Sequence, residues 1–219
     1  IKRSFSENDI ANLEKNLNIT LKRLKRNNID SYLLHDANDM KRENNQLLIN
    51  WLHKLKDKGI INRIGISIYE ESDLENIPLD EVEVIQMPIS IYDQRLLNKS
   101  FLNKLFKNNI AIHVRSIFLQ GLLLQSSINW PKRINKSFLN HHIFYEKVLL
   151  SKNISHLDAA ISFIKNLDFP ELVLFGVTNH LELKSITKSW NSNERIANQI
   201  QFKDFKWDIV DDLDPRKWI

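Results

Sequence analysis

Five short apolar runs, near residues 32, 64, 84, 112 and 173, alternate with segments of helical periodicity along this chain. No other feature of the sequence constrains the fold as tightly. Strands joined through helices run in the same direction and pair as a parallel sheet with right-handed crossovers. Such strands are covered on both faces, which accounts for runs that are continuously apolar rather than alternating. No G-x-G-x-x-G loop follows any of the runs, so a dinucleotide fold of the Rossmann type lacks its main signature and a barrel fits better.

The local signals agree with this reading. "SFSENDIANLEKNLNITLKRLKRNNID" predicts a helix, with Ser6 as cap and Asp9 reaching back to it, and with Ile10, Leu13, Leu17, Leu21 and Leu24 forming one apolar stripe. "IDSYLLHDAND" predicts a strand over about residues 31–35, closed by His35 and Asp36. A second amphipathic helix, "NNQLLINWLHKLKDKG", ends at Gly59. "INRIGIS" is a strand ending at Ser67, "EESDLENI" opens a short helix, and "VEVIQMP" is a strand ending near Gln86. "NKSFLNKLFKNN" is a helix, "IAIHVRS" a strand ending at Arg115 and Ser116, and "ELVLFGV" a strand ending at Gly176. "SHLDAAISFIKNL", capped by Ser155 with Asp158, and "NHLELKSITKSW" are helices. The 122–153 stretch carries no clear strand and is the expected source of substrate specificity.

Composition narrows the class. The 219 residues suit a single domain over 1–219, and 42% hydrophobic with 26% charged residues describes a folded chain. Without cysteine there is neither a disulfide framework nor a thiolate metal site, which fits a reducing, cytoplasmic setting. The net charge of +4 is spread along the chain, and its densest cluster, Lys22-Arg23-Leu24-Lys25-Arg26, reads as the solvated face of a helix rather than a nucleic-acid patch. No apolar run reaches the ~20 residues of a membrane span, and no signal peptide is visible.

In a barrel the C-terminal ends of the strands face one mouth, where active sites are built. The residues ending the runs are His35, Ser67, Gln86, Arg115 with Ser116, and Gly176. Polar side chains thus recur where apolar runs stop. Arg115 is explained as a residue leaving the core at a strand end, with Gln120 and Gly121 in the loop beyond it. Other residues are set aside: His141-His142 as loop or helix surface without metal-ligand spacing, so that no metal is expected, His113 as packing, and Gly65-Ile66-Ser67 as lacking a nucleophile elbow.

Taken in order, "LKRLKRNNIDSYLLHDAND", "LHKLKDKGIINRIGIS", "VIQMPISIYDQRLL", "HVRSIFLQGLLL" and "LVLFGVTNHLEL" resemble successive segments of the aldo-keto reductase superfamily, most of all a bacterial branch met beside surface-polysaccharide genes. The resemblance implies an α/β fold of the (β/α)8 TIM-barrel type, present here as strands four to eight with their helices, a partial barrel. It implies NAD(P)H-dependent reduction of an aldehyde or ketone, with NADP the expected cofactor and NAD possible, acting on a small carbonyl compound. By the same resemblance His35 orients the carbonyl, Ser67 and Gln86 meet the nicotinamide carboxamide, and Arg115 lies against the nicotinamide ring. Ser116, Phe118, Gln120 and Gly121 belong to the pyrophosphate loop, and Gly176, Thr178 and Glu182 to the adenosine end.

The sequence departs from the family pattern in three places. The aspartate, tyrosine and lysine of the family come from its first three strand-helix units, for which these residues offer no positions. A fragment or an incomplete sequence is therefore expected ahead of a naturally short relative, and reduction by the chain as it stands is expected to be impaired; the alternative is a non-catalytic cofactor-binding or interaction relative. Ile68 stands where the family has an asparagine, and Thr178 where it often has an arginine, with His180 or Lys184 as substitutes toward a 2′-phosphate.

Overall fold

A computed structural model of the protein describes residues 4–192, 199–214, 217 and 218. Its five strands are β1 (Ile29–Leu34), β2 (Ile61–Ser67), β3 (Val84–Pro88), β4 (Ala111–Arg115) and β5 (Leu172–Val173), hydrogen-bonded in the order β1-β2-β3-β4-β5. Pairing of β1 with β2 and of β2 with β3 is parallel. The helices are α1 (Glu7–Leu24), α2 (Asn45–Asp57), α3 (Lys99–Lys107), α4 (Lys136–Ser151), α5 (His156–Lys165), α6 (His180–Asn191) and the short α7 (Val210–Leu213). The alternation of the sequence is thus an α/β architecture with a five-stranded sheet. No helix among the described residues is long and apolar enough to cross a membrane.

Contacts group the chain into two compact units. The first runs up to Met87 and takes in Lys99–His113. Its opening helix starts as its residues dictate: the Ser6 hydroxyl oxygen accepts from the Asp9 amide at 3.3 Å, and the Asp9 carboxylate accepts from the Ser6 amide at 3.0 Å. This reciprocal pair satisfies two amides that a helix start would leave bare. Lys22, Arg23, Lys25 and Arg26 are all exposed, as a solvated face requires. Leu48, Leu52 and Leu55 of α2, Ile64 and Ile66 of β2, Val84 and Ile85 of β3, and Phe101 and Leu105 of α3 are buried. β2 and β3 approach very closely at Gly65, where a Cβ would lie 2.7 Å from the Val84 carbonyl oxygen. Glycine is required there by space rather than by backbone conformation.

The second unit holds Pro88–Asn98 and the chain from Val114 onward. Half of the 122–153 stretch is helical as α4, whose inner face is aromatic. Tyr92, Phe138 and Tyr145 are fully buried, and Trp130 is 6% exposed. Trp130 and Phe138 meet edge to face at 5.1 Å, and Trp207 stacks on Phe138 at 5.1 Å. The tail tryptophans Trp207 and Trp218 are tied back by indole hydrogen bonds to Asp212. In α5, Ser155 caps the first turn by accepting from the Asp158 amide at 3.0 Å.

One strand is much shorter than its apolar run predicts. β5 ends at Val173, and the extended pairing continues only to Leu174, whose amide donates to the Val114 carbonyl at 2.7 Å. Gly176 therefore lies in irregular chain beyond the strand. Leu172, Leu174 and Val177 are 49%, 40% and 40% exposed, so this run lacks the two-sided cover that parallel strands normally have.

Candidate active site

In the first unit three of the nominated residues stand level in the parallel register. Ser67 is the last residue of β2 and stands opposite Gln86 in the parallel register. Leu34 stands opposite Ile66, so His35, the next residue, is level with Ser67. His35, Ser67 and Gln86 therefore stand level across three neighbouring strands, His35 just after β1, Ser67 at the end of β2 and Gln86 in the middle of β3, which runs on to Pro88 rather than ending near Gln86. His35 is exposed, Gln86 half-buried and Ser67 7% exposed. The row combines a hydroxyl, a primary amide and an imidazole, all able to donate and accept hydrogen bonds. Ile68 is fully buried and its amide donates to the Gln86 carbonyl at 2.9 Å, so position 68 belongs to the core and adds no polar group to the row.

In the second unit Arg115 ends β4, and its guanidinium donates to the Ser116 hydroxyl at 3.2 Å. The chain then turns through an unusual loop. Ser116, Leu119, Gln120 and Gly121 have φ of 61°, 47°, 55° and 85°. Left-handed backbone at three non-glycine residues within five positions is costly, and such strain clusters at ligand-holding segments. Gln120 is exposed and Gly121 partly so. Phe118 departs from the role implied for it: its side chain is 8% exposed, with its ring 6.3 Å from that of Phe175. A phenyl ring packed inward offers nothing to an anion, and only the backbone of Phe118 remains to serve one.

The segment after β5 is polar and internally bonded. Asn179, which the sequence reading passes over, caps α6 by accepting from the amides of Leu181 and Glu182, both at 3.0 Å. Glu182 accepts from the Thr178 amide at 2.7 Å, the Thr178 hydroxyl at 2.8 Å and the Asn179 side-chain amide at 3.0 Å. The Thr178 amide above all, with its hydroxyl, holds the Glu182 carboxyl below its ordinary value. Asn179 followed three positions later by glutamate is the signal that marks this cap. Gly176, Thr178, His180, Glu182 and Lys184 are all exposed.

Two further features of the second unit lie outside these residues. A cleft of about 530 Å³ is lined by Ile164, Leu167, Pro170, Leu172, Phe175 and Trp190 among others, and none of the nominated residues borders it. The other feature corrects the reading of His141-His142 as loop or surface. His142 is 0% exposed, its Nδ1 2.6 Å from the Tyr92 hydroxyl and its Nε2 2.9 Å from the Gln125 carbonyl oxygen. Burial holds its imidazole down to about 4. One helical turn on, partial burial pushes the Glu146 carboxyl up, but hydrogen bonds from Ser127 and Ser126 outweigh this and keep it below its ordinary range. His156, the first residue of α5, brings Nε2 to 3.7 Å from Glu146 Oε1. Burial lowers its imidazole as well, with Glu146 opposing. One ligand atom from each of His142, Glu146 and His156 lies within 4.8 Å of the others. The i, i+4 spacing of His142 and Glu146 was the available sequence signal; the third member comes from another helix.

Solved structures resemble this fold. An aldo-keto reductase, AKR11C1, from Bacillus halodurans in its apo form matches with a TM-score of 0.68 and 19% identity, over 90% of this chain and 68% of that one. The glycerol dehydrogenase AKR11B4 from Gluconobacter oxydans matches with a TM-score of 0.65 and 19% identity, over 90% of this chain and 64% of that one. The chain thus spans about two thirds of the length of these structures. No curated protein matches the sequence. The model of the aldo/keto reductase family matches residues 2–202, nearly the whole chain, and the protein belongs to that family.

Proposed function

We propose that the protein serves nicotinamide-dependent reduction of an aldehyde or ketone, with NADP as the preferred cofactor. The observation that supports this reading is the level row of His35, Ser67 and Gln86 across adjacent parallel strands. A carboxamide has one carbonyl acceptor and an NH2 donor. A serine hydroxyl beside a glutamine amide matches both needs at once, and this complementarity supports Ser67 and Gln86 as the carboxamide site.

When bound, the cofactor supplies the hydride, and the protein supplies binding and orientation. His35 donates a hydrogen bond to the carbonyl oxygen and fixes the face that is presented. By the family resemblance Arg115 would serve the nicotinamide ring, and Ser116, Gln120 and Gly121, with the backbone of Phe118, would hold the pyrophosphate. The left-handed residues of this loop support that role, because backbone turned in this way can aim amides at an anion. Gly176, Thr178 and Glu182 serve the adenosine end, Glu182 through the cap it already forms with Thr178 and Asn179.

Cofactor binding tests the reading directly. NADPH titrated into the chain should quench tryptophan fluorescence and saturate, and NADH should bind more weakly. Ser67→Ala and Gln86→Leu should each weaken binding by roughly three- to tenfold, the loss of one neutral hydrogen bond of about 1 kcal/mol. In a full-length form His35→Ala should leave cofactor binding nearly unchanged while carbonyl turnover falls. A chain that binds neither nucleotide, or whose affinity ignores both Ser67 and Gln86, rules the proposal out.

A further inference from the structure

We propose that His142, Glu146 and His156 form a binding site for a divalent transition metal ion of the zinc class. None of these residues has a part in the carbonyl reduction proposed above, and the inference stands independently of it.

The donor set is two imidazoles and one carboxylate, a combination suited to a borderline metal such as Zn2+ that leaves a further position for water. Two donors sit one turn apart on α4 and the third opens α5, so the geometry rests on helices rather than on loops. Ligands of a tetrahedral ion with bonds of about 2.0–2.1 Å stand roughly 3.4 Å apart. The 3.7 Å between His156 Nε2 and Glu146 Oε1 is close to that spacing. The full triad, within 4.8 Å, closes on an ion with a displacement of about an ångström.

Hydrogen bonding supplies a second, independent observation. His156 Nε2 is buried and makes no hydrogen bond. Glu146, at 3.7 Å, is beyond hydrogen-bond reach of it. An orphaned nitrogen of this kind is costly in a folded protein, and a metal ion on its lone pair removes the defect.

The surroundings supply outer support. Glu146 Oε1 accepts from the Ser127 amide at 3.0 Å, which orients the carboxylate. His142 Nε2 faces the same connecting segment through the Gln125 carbonyl, and its Nδ1 faces the Tyr92 hydroxyl. An ion on either nitrogen of His142 displaces the partner that nitrogen now has, the Gln125 carbonyl or the Tyr92 hydroxyl, and the other nitrogen keeps its own partner as the outer hydrogen bond that ligating histidines characteristically carry. Trp130, stacked on the His142 ring at 4.2 Å, fixes its plane.

Cobalt provides the test. The chain is stripped with a chelator and titrated with Co2+, and the visible absorption of a low-symmetry, four- or five-coordinate site is followed. Saturation at one equivalent is expected, with bleaching by Zn2+ but not by Mg2+. His156→Gln and Glu146→Gln should each weaken Co2+ by at least about tenfold, since even outer-shell changes cost that much. His53→Gln, at the exposed His53–Glu81 pair, should leave binding unchanged. A second reading guards against variants that fold poorly: Zn2+ should raise the melting temperature of the unmodified chain, and Mg2+ should not. Absence of saturable Co2+ absorption, absence of the Zn2+ effect on melting, or equal affinity in folded His156→Gln and Glu146→Gln overturns the site.

Discussion

The Tyr92 hydroxyl and His142 Nδ1 lie 2.6 Å apart in the interior of the second unit, and the other nitrogen of the same ring is 2.9 Å from the Gln125 carbonyl oxygen. The carbonyl can only accept, so Nε2 carries the proton and Nδ1 accepts from the phenol. One tautomer satisfies every partner. Tyr92→Phe removes the donor while nearly preserving shape, leaving a buried acceptor bare. The expected loss is about 1–3 kcal/mol of unfolding free energy, read from urea denaturation with an unchanged m-value. A variant as stable as the original would mean that the pair contributes nothing.

How much of this was legible in the sequence depends on how local the cause is. Ser6 with Asp9 and Ser155 with Asp158 were readable because a cap is decided within four residues. β2 was readable to its last residue, Ser67, because an isoleucine-rich run bounded by polar residues has one plausible state. "ELVLFGV" misled because hydrophobicity reports affinity for a neighbour, not whether a neighbour is there to pair; only Leu172 and Val173 form the strand. The inward packing of the Phe118 ring beside Phe175 was not legible, because it depends on a neighbour more than fifty residues away. The His142, Glu146 and His156 group was missed because its third member arrives only when α5 packs beside α4.

Burial of neutral His142 makes stability depend on pH in a stated direction. Its imidazole titrates at about 4 when folded, against 6.5 in an unperturbed chain. Between these values the unfolded state binds more protons, so unfolding free energy rises with pH. The contribution is complete above pH 6.5 and is lost as pH falls toward 4, to a total of roughly 3 kcal/mol. His156 acts with the same sign. The lowered carboxyls of Glu83 and Glu146 have an ordinary value of 4.5, and their own contributions fall away chiefly below it. The slope between pH 6.5 and 4.5 therefore belongs mainly to histidine. Denaturation of chelator-treated protein across that window should show it, and His142→Gln should flatten it. Equal slopes would remove His142 as the cause.

Gly65 offers a test of the β2–β3 approach that is blind to function. A methyl group there would lie 2.7 Å from the Val84 carbonyl oxygen and 3.0 Å from the Leu33 side chain. The first is backbone in a paired strand and cannot swing away. Gly65→Ala should cost about 1–3 kcal/mol, as overpacking of a closed interior does. The row of His35, Ser67 and Gln86 depends on this register, so cofactor affinity should weaken along with stability. Unchanged stability would mean that the two strands are farther apart than described.

Gln120 separates backbone strain from ligand contact, because the same substitution should move the two in opposite directions. Its φ of 55° places an exposed, non-glycine residue in left-handed backbone. That conformation costs an L-residue roughly 1–2 kcal/mol. Glycine escapes this cost but loses about 0.5–1 kcal/mol more in chain entropy on folding. Gln120→Gly should therefore leave unfolding free energy unchanged or raise it by up to about 1 kcal/mol. If the amide side chain also meets the pyrophosphate, NADPH should bind roughly three- to tenfold more weakly, through the loss of one hydrogen bond. Gln120→Ala separates the two effects, since it removes the side-chain amide without relieving the backbone. It should match the glycine variant in affinity and fall below it in stability. A glycine variant that is less stable than the original would show that the loop is not strained at this residue. One that binds NADPH as tightly as the original would remove Gln120 from the cofactor site.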